Sequence, residues 1–178
     1  MPNKKKLNWA QKLKSPDVKF PKGLFTFYLS HPEASRKYIR EWELKFEEKH
    51  PKIALVNPFY DMPGEQEKRV KAADEGKRYE GLPGDEWRMT QGDYIAICFS
   101  RGIVCIVDEN YDKSMGTIME IVMGRVLAKN PKLLICTNEK LRGHPWLKTH
   151  FHKIYSSFEE FEADVEARVE KVKKKWGF

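Results

Sequence analysis

The feature that most constrains the fold is a strand–loop–helix pattern in the middle of the chain. The apolar run 102–107 predicts a buried strand, the polar residues after it a loop, and the apolar periodicity of 118–127 a helix. Gly116 permits a tight turn and Thr117 is a suitable N-cap, which would put Glu120 in the first turn of that helix. Ligands of open α/β sheets bind outside the carboxyl ends of the strands, where this loop would lie. Glu120 is therefore the first candidate for a functional residue.

Apolar runs alternate with helical patterns along the rest of the chain. Further strands are predicted at 24–29, 52–57, 132–137 and 152–155, and further helices at about 32–49, 85–99 and 157–176. This alternation predicts an α/β fold in which helices cover both faces of a mostly parallel sheet. The charged, glycine-containing segment 61–83 fits either a solvated helix or a mobile excursion, and we expect it to act as a lid over the site.

Positive charge is concentrated at the N-terminus. Residues 1–23 hold seven lysines and one aspartate, and hence +6 of the net charge of +7. We therefore interpret 1–22 as a basic, flexible tail and 23–178 as one folded domain. A solvated arm is the favoured interpretation of such a tail, and contact with nucleic acid is the less favoured alternative.

Several classes of protein find no support in the sequence. No apolar run approaches the roughly 18 residues of a membrane span, and the lysine-containing start has no apolar leader segment. The histidines and cysteines form no zinc signature, and neither a P-loop nor a G-x-G-x-x-G motif is present. We expect a cytoplasmic protein without a metal or cofactor, in which Cys98, Cys105 and Cys136 are small core residues of a reducing compartment.

Three side chains are candidates for a site at the strand ends. Tyr28 lies near the end of the first strand, Asp93 in the helix before the central strand, and Glu120 after that strand. One carboxylate can attack the anomeric carbon of a nucleoside while a second acid protonates the departing base, and a tyrosine hydroxyl can orient the nucleophile. Each residue also has a structural alternative: Glu120 as an acid favoured by the helix dipole, Tyr28 as a core aromatic, and Asp93 as a solvated or capping acid.

These residues resemble the nucleoside 2-deoxyribosyltransferase superfamily, including its 2′-deoxynucleoside 5′-monophosphate N-hydrolase branch. The resemblance runs from about residue 24 to 165. It rests on three motifs: Phe27-Tyr28-Leu29-Ser30-His31-Pro32, Asp93-x3-Ile97-x2-Ser100 and Ser114-x-Gly116-Thr117-x2-Glu120. It implies a single Rossmann-like (flavodoxin-like) domain with a five-stranded sheet, and a homo-oligomer, a dimer or larger.

The resemblance also implies the roles of the site residues. Glu120 is the nucleophile that forms a glycosyl ester, Tyr28 is its hydrogen-bonding partner, and Asp93 is the acid that acts on the base. The residues that would bind substrate are Ser30, His31, Ser114, Gly116 and Thr117. This chemistry needs no metal and no organic cofactor, and its substrate is a small nucleoside or nucleotide.

Two positions depart from the family pattern. His31 replaces a glycine usual in the first loop, and Ser114 stands where the transferases typically have an aspartate that binds the sugar 5′-hydroxyl. The monophosphate hydrolases are similar in having serine there, since a hydroxyl beside helix N–H groups can bind a phosphate that a carboxylate would repel. We therefore favour a nucleotide substrate, and leave open whether water or a second base is the acceptor.

Two further functions stay as alternatives. A non-catalytic nucleotide-sensing or polyanion-binding module would keep the pocket and use the lysine-rich tail. Cleavage of the nicotinamide bond of NAD is the less favoured alternative, because it breaks the same type of bond in a larger substrate.

Overall fold

The computed structural model describes residues 25–61, 65–77, 85–113, 115–128 and 131–176. The predictions made for the tail 1–22, for Ser114 and for parts of the segment 61–83 therefore concern residues outside the described ranges.

The strands form one parallel sheet, which confirms the predicted α/β fold. They are β1 (Phe25–Ser30), β2 (Ile53–Val56), β3 (Gly102–Val107), β4 (Lys132–Cys136) and β5 (Lys153–Tyr155). Their order is β2-β1-β3-β4-β5, and every neighbouring pair is parallel. This is the flavodoxin-like order, in which the strand order reverses between β1 and β3 and creates a crevice at the carboxyl ends of these strands.

Helices connect the strands and cover both faces of the sheet. They are α1 (Arg36–Lys49), α2 (Pro58–Asp61), α3 (Glu65–Asp74), α4 (Asp85–Phe99), α5 (Met115–Met123), α6 (Glu139–Arg142), α7 (Pro145–His150) and α8 (Phe158–Trp176). Short 3-10 turns occupy Glu33–Ser35 and Tyr111–Lys113, and a π-helical turn, Gly124–Ala128, extends α5. Within the described part of the chain, none of the helices combines the length and apolar character that a membrane crossing requires.

Alternation along the strands divides the core into two layers. Tyr28, Ile103 and Cys105 point to one face, where they pack against Ala96 and Ile97 of α4. The neighbouring positions point to the opposite face and pack against α1 and α8; they are Leu29, Val104 and Ile106. Because successive side chains of a strand alternate between faces, Tyr28 and Ser30 share the face that α4 and α5 cover.

The helix after β3 starts earlier than its sequence pattern indicates. Gly116 and Thr117, predicted as a turn residue and an N-cap, lie inside the first turn of α5, which begins at Met115. Gly116 does not have a positive φ, since among the described glycines only Gly76 has one. The apolar periodicity marks the buried face of a helix and not its first residue, so it placed the start too late.

The prediction that all three cysteines lie in the core is wrong for one of them. Cys105 and Cys136 are buried, whereas Cys98 is exposed on α4. Ile95 and Phe99 on the same helix are also about half exposed. The apolar pattern of α4 therefore extends beyond its buried face onto a surface.

Candidate active site

Two hydroxyl groups of β1 hold the carboxylate of Glu120. The Tyr28 hydroxyl donates to Oε1 at 2.8 Å, and the Ser30 hydroxyl donates to Oε2 at 2.6 Å. Glu120 lies in the second turn of α5, and no acid occupies the first turn. The expectation of a first-turn position is therefore wrong, and so is the alternative of an acid held by the helix start. The carboxylate is oriented by the end of β1.

The carboxyl group of Asp93 lies beside the same tyrosine. Asp93 is on α4, and its side chain interacts with the Tyr28 hydroxyl and with the charge of Glu120. Burial, followed by the negative charge of Glu120, raises the pKa of Asp93 to about 8. The same burial and the two neighbouring acids raise the pKa of Tyr28 well above its ordinary value. Tyr28 therefore stays a phenol, and Asp93 keeps its proton at neutral pH.

The two acids have different surroundings. Burial raises the pKa of Glu120, but the hydrogen bonds from Ser30 and Tyr28 act in the opposite direction. When two carboxyl groups lie this close together, one of them loses its proton first. It is the group that accepts more hydrogen bonds, because these stabilise the charged form. The arrangement therefore places a carboxylate at Glu120 next to a neutral acid at Asp93. Such a pair can supply a nucleophile and a proton donor to one substrate.

The ring of His31 lies in the loop that follows β1. Its Nδ1 faces the Pro32 carbonyl oxygen at 3.0 Å, its Nε2 faces Asn57 Oδ1 at 3.2 Å, and its centroid is 5.0 Å from that of Phe59. Burial lowers the pKa of His31 to about 4, so the ring is neutral. The imidazole fixes the loop after Ser30, and its nitrogens are directed at these oxygens instead of at the Glu120 carboxylate.

The remaining predicted binding residues fall in different places. Gly116 is exposed on α5, and Thr117 is buried. Thr117 lines an apolar cavity of about 330 Å³ between α5 and the α6–α7 pair, with Ile121 and Leu147 among the other lining residues. The hydrogen bonds described for Glu120 come from β1, so this cavity is not built around the carboxylate.

The sequence analysis placed Asp108 in the solvated polar loop after the strand 102–107, but the structure buries this carboxylate. It directly follows β3, and its Oδ2 accepts hydrogen bonds from the hydroxyls of Ser35 and Tyr38. Its Oδ1 accepts from the backbone N–H of Asn110 at 2.8 Å. These contacts tie the end of β3 to the start of α1. The one sequence signal for this role is an acid directly after an apolar strand. Its hydrogen-bond partners Ser35 and Tyr38 lie about 70 residues earlier in the chain, so no local pattern predicts them.

The structure offers no metal centre in the part of the chain that it describes. Among those residues, no three His, Cys, Asp or Glu side chains are grouped closely enough to hold an ion.

Comparison with known proteins links the chain to one enzyme fold. No protein-family model and no curated protein matches the sequence. A solved structure of the 2-deoxyribosyltransferase from the psychrotolerant bacterium Bacillus psychrosaccharolyticus is similar, with a TM-score of 0.56 and 18% sequence identity. The similarity covers 77% of this chain and 90% of that chain. At this identity it shows that the two chains share a fold.

Proposed function

We propose that this protein cleaves or transfers the N-glycosidic bond of a (deoxy)nucleoside or its 5′-monophosphate. One observation carries the proposal: both oxygens of Glu120 are held by Tyr28 and Ser30, next to the carboxyl group of Asp93, whose pKa is raised by burial. The fold shared with a 2-deoxyribosyltransferase supports the same class of reaction. The pair lies at the carboxyl ends of the strands, where open α/β sheets bind ligands.

The proposed reaction is a double displacement. The Glu120 carboxylate attacks the anomeric carbon and forms an ester, while the bond from that carbon to the base nitrogen breaks. Asp93 gives its proton to the departing base, which leaves neutral. Water or a second base then attacks the same carbon, Glu120 leaves as a carboxylate, and the proton that the acceptor loses returns to Asp93.

Tyr28 and Ser30 act on the nucleophile in this scheme. Their two donated hydrogen bonds keep Glu120 ionised despite its burial, and they fix the direction of its lone pairs. No metal or organic cofactor is required. Ser114, which lies outside the described residues, is the sequence feature that favours a 5′-monophosphate, and that preference remains part of the proposal.

We also propose that a second copy of the chain covers the exposed side of α4 and α5. Large apolar side chains are exposed there: Ile95, Phe99, Met115, Met119 and Val126. An apolar surface of this kind marks an interface more often than a free surface, and the family resemblance implies a homo-oligomer. A monomeric mass in light scattering at working concentrations would contradict this part of the proposal.

The test is to incubate the protein with the 2′-deoxynucleosides and their 5′-monophosphates and to measure free base by chromatography. We expect Glu120→Ala to lower the rate on the order of a thousandfold or more, because it removes the nucleophile. Glu41→Ala, which removes an exposed carboxylate from α1, is the matched control. A Glu120→Ala variant as fast as the control would overturn the nucleophile assignment.

The same assay separates the alternatives. An exchanged nucleoside after addition of a second free base indicates transfer, and free base with the sugar product alone indicates hydrolysis. Release of nicotinamide from NAD would point to an NAD glycohydrolase. A melting shift with nucleotide but no product would point to a non-catalytic binding module.

A further inference from the structure

A cluster of ion pairs joins α3 to the start of α1. Arg69 Nη2 lies 2.5 Å from Glu33 Oε2, and Asp74 Oδ1 lies 2.5 Å from Arg36 Nη2 and 3.1 Å from Lys37 Nζ. We call these five residues the Arg69 cluster. It holds three cations and two carboxylates, so its net charge is +1. A cluster with excess positive charge can accept one more anionic group.

The Arg69 cluster includes the segment that follows β1, the strand that holds Glu120. Glu33 follows Ser30 by three residues, and Arg36 Nη1 donates to the Glu33 carbonyl oxygen at 3.1 Å. The positive charge of Arg69 also acts on Asp93, where it opposes the rise in pKa that burial and Glu120 cause. The field of this guanidinium therefore reaches the carboxyl group proposed to protonate the base.

The ion pair between Arg69 and Glu33 is accessible and can open. The two side chains are 41% and 33% exposed. Next to them, the Nε of Arg36 is buried and has no hydrogen-bond partner among the described residues. Solvent-accessible ion pairs contribute little to stability, so a stronger anion can displace Glu33. Phosphate is such an anion, because a guanidinium binds two of its oxygens at once.

We propose that Arg69 is a specificity residue that binds the phosphate of a phosphorylated substrate by exchanging the Glu33 carboxylate for it. This inference rests on the proposed function, since it assigns the anion to the substrate of the same site. Glu120 alone would repel a phosphate, and Arg69 supplies the compensating charge. Arg69 thereby favours nucleotides over nucleosides.

The test compares each 2′-deoxynucleoside with its 5′-monophosphate in the Arg69→Met variant. We expect the KM for the monophosphate to rise about tenfold or more, as for the loss of a charge-assisted hydrogen bond. The KM for the nucleoside should rise far less, because it carries no phosphate, and a change in kcat that arises through Asp93 should be the same for both substrates. Arg69→Lys keeps the positive charge but cannot make a bidentate hydrogen bond, so its KM for the monophosphate should lie between those of the wild type and Arg69→Met. Lys71→Met, at an exposed position of the same helix, is the matched control.

Glu33→Gln tests the exchange itself. It removes the competing carboxylate and leaves a side chain of the same shape, so the KM for the monophosphate should fall. An increase in that KM would overturn the exchange. Equal increases in KM with both substrates in Arg69→Met would show that Arg69 only holds α3 in place, and would overturn the specificity role. An Arg69→Met variant that matches Lys71→Met on the monophosphate would do the same.

A binding measurement keeps the two proposals separable. The melting temperature of each variant is measured with the nucleoside, the monophosphate and inorganic phosphate. If the wild-type protein releases no base, the proposed function fails. The Arg69 inference then stands only if the monophosphate raises the melting temperature more than the nucleoside does, and if Arg69→Met abolishes that difference; any other result overturns it.

Discussion

The Tyr28 hydroxyl donates to Glu120 Oε1 at 2.8 Å across 92 residues of sequence. Ser30, two residues further along the same strand, engages the other oxygen. A carboxylate with both oxygens engaged has one fixed orientation, and its remaining lone pairs point away from β1. The strand thus gives Glu120 the fixed orientation that its proposed role as a nucleophile requires.

Removing either hydroxyl should lower kcat more than it changes KM. Tyr28→Phe and Ser30→Ala each delete one hydrogen bond to a charged group, so we expect a loss of about 10- to 100-fold each. The double variant should lose less than the product of the two, because both hydroxyls act on one carboxylate. Tyr155→Phe, which removes a tyrosine hydroxyl bonded to Asp164, is the control. A strictly multiplicative double variant would contradict this reading of the site.

The rate of base release should fall on both sides of a pH optimum. Burial and the charge of Glu120 raise the pKa of Asp93 to about 8, so the proposed general acid loses its proton and kcat falls as the pH rises above about 8. At low pH the rate falls because Glu120 becomes protonated. Asp93→Asn should have a low rate without the alkaline limb, as measured by initial rates from pH 5 to 10. An unchanged alkaline limb in this variant would assign that limb to another group.

Asp164 should stabilise the junction of β5 and α8. Burial alone would raise its pKa, but interactions with Lys153, Tyr155 and Arg168 outweigh burial and lower the pKa to about 2. A pKa below the unfolded value stabilises the fold above about pH 4, and this contribution disappears as the pH falls through about 2. Asp164→Asn should therefore cost about 1–2 kcal/mol at pH 7 and much less near pH 2. Urea unfolding at several pH values measures the difference, and a pH-independent cost would contradict the linkage.

Two glycines should respond in opposite directions to alanine. A Cβ at Gly102 would lie 2.8 Å from the Pro131 carbonyl oxygen and 2.9 Å from the Phe27 ring, whereas a Cβ at Gly116 meets nothing within 4 Å. Gly102→Ala should therefore destabilise the fold by about 1–3 kcal/mol. Gly116→Ala should stabilise α5 by about 0.5–1 kcal/mol, because alanine has the higher helix propensity. The melting temperatures of both variants test this prediction. A Gly102→Ala variant more stable than the wild type would show that the backbone and the Phe27 ring around Gly102 can move aside for a methyl group.

The strands could be predicted from the sequence because buried parallel strands are apolar on both faces and appear as continuous apolar runs. β3 was predicted with its observed bounds, since the run from Gly102 to Val107 is apolar throughout. The short helices α6 and α7 were not predicted. The N-cap of α7 is His144, whose ring accepts from the Trp146 N–H, and histidine is not among the usual capping residues.

Only part of the candidate site could be predicted from the sequence. Tyr28, Asp93 and Glu120 are brought together as the sequence analysis expected, although their catalytic roles remain predictions. Ser30 was assigned to the substrate, and the structure places its hydroxyl on Glu120 instead. Such contacts join segments about 90 residues apart, so no local pattern could have paired the two residues.

The register of β1 against β3 pairs Tyr28 with Ile103 and Ser30 with Cys105. During synthesis the segment of β1 is complete long before the segment of α5. Until β1 pairs with β3, the side chains of Tyr28 and Glu120 remain apart and solvated. Recovery of base release during refolding should therefore follow the formation of this long-range strand pairing and not the earlier formation of helices.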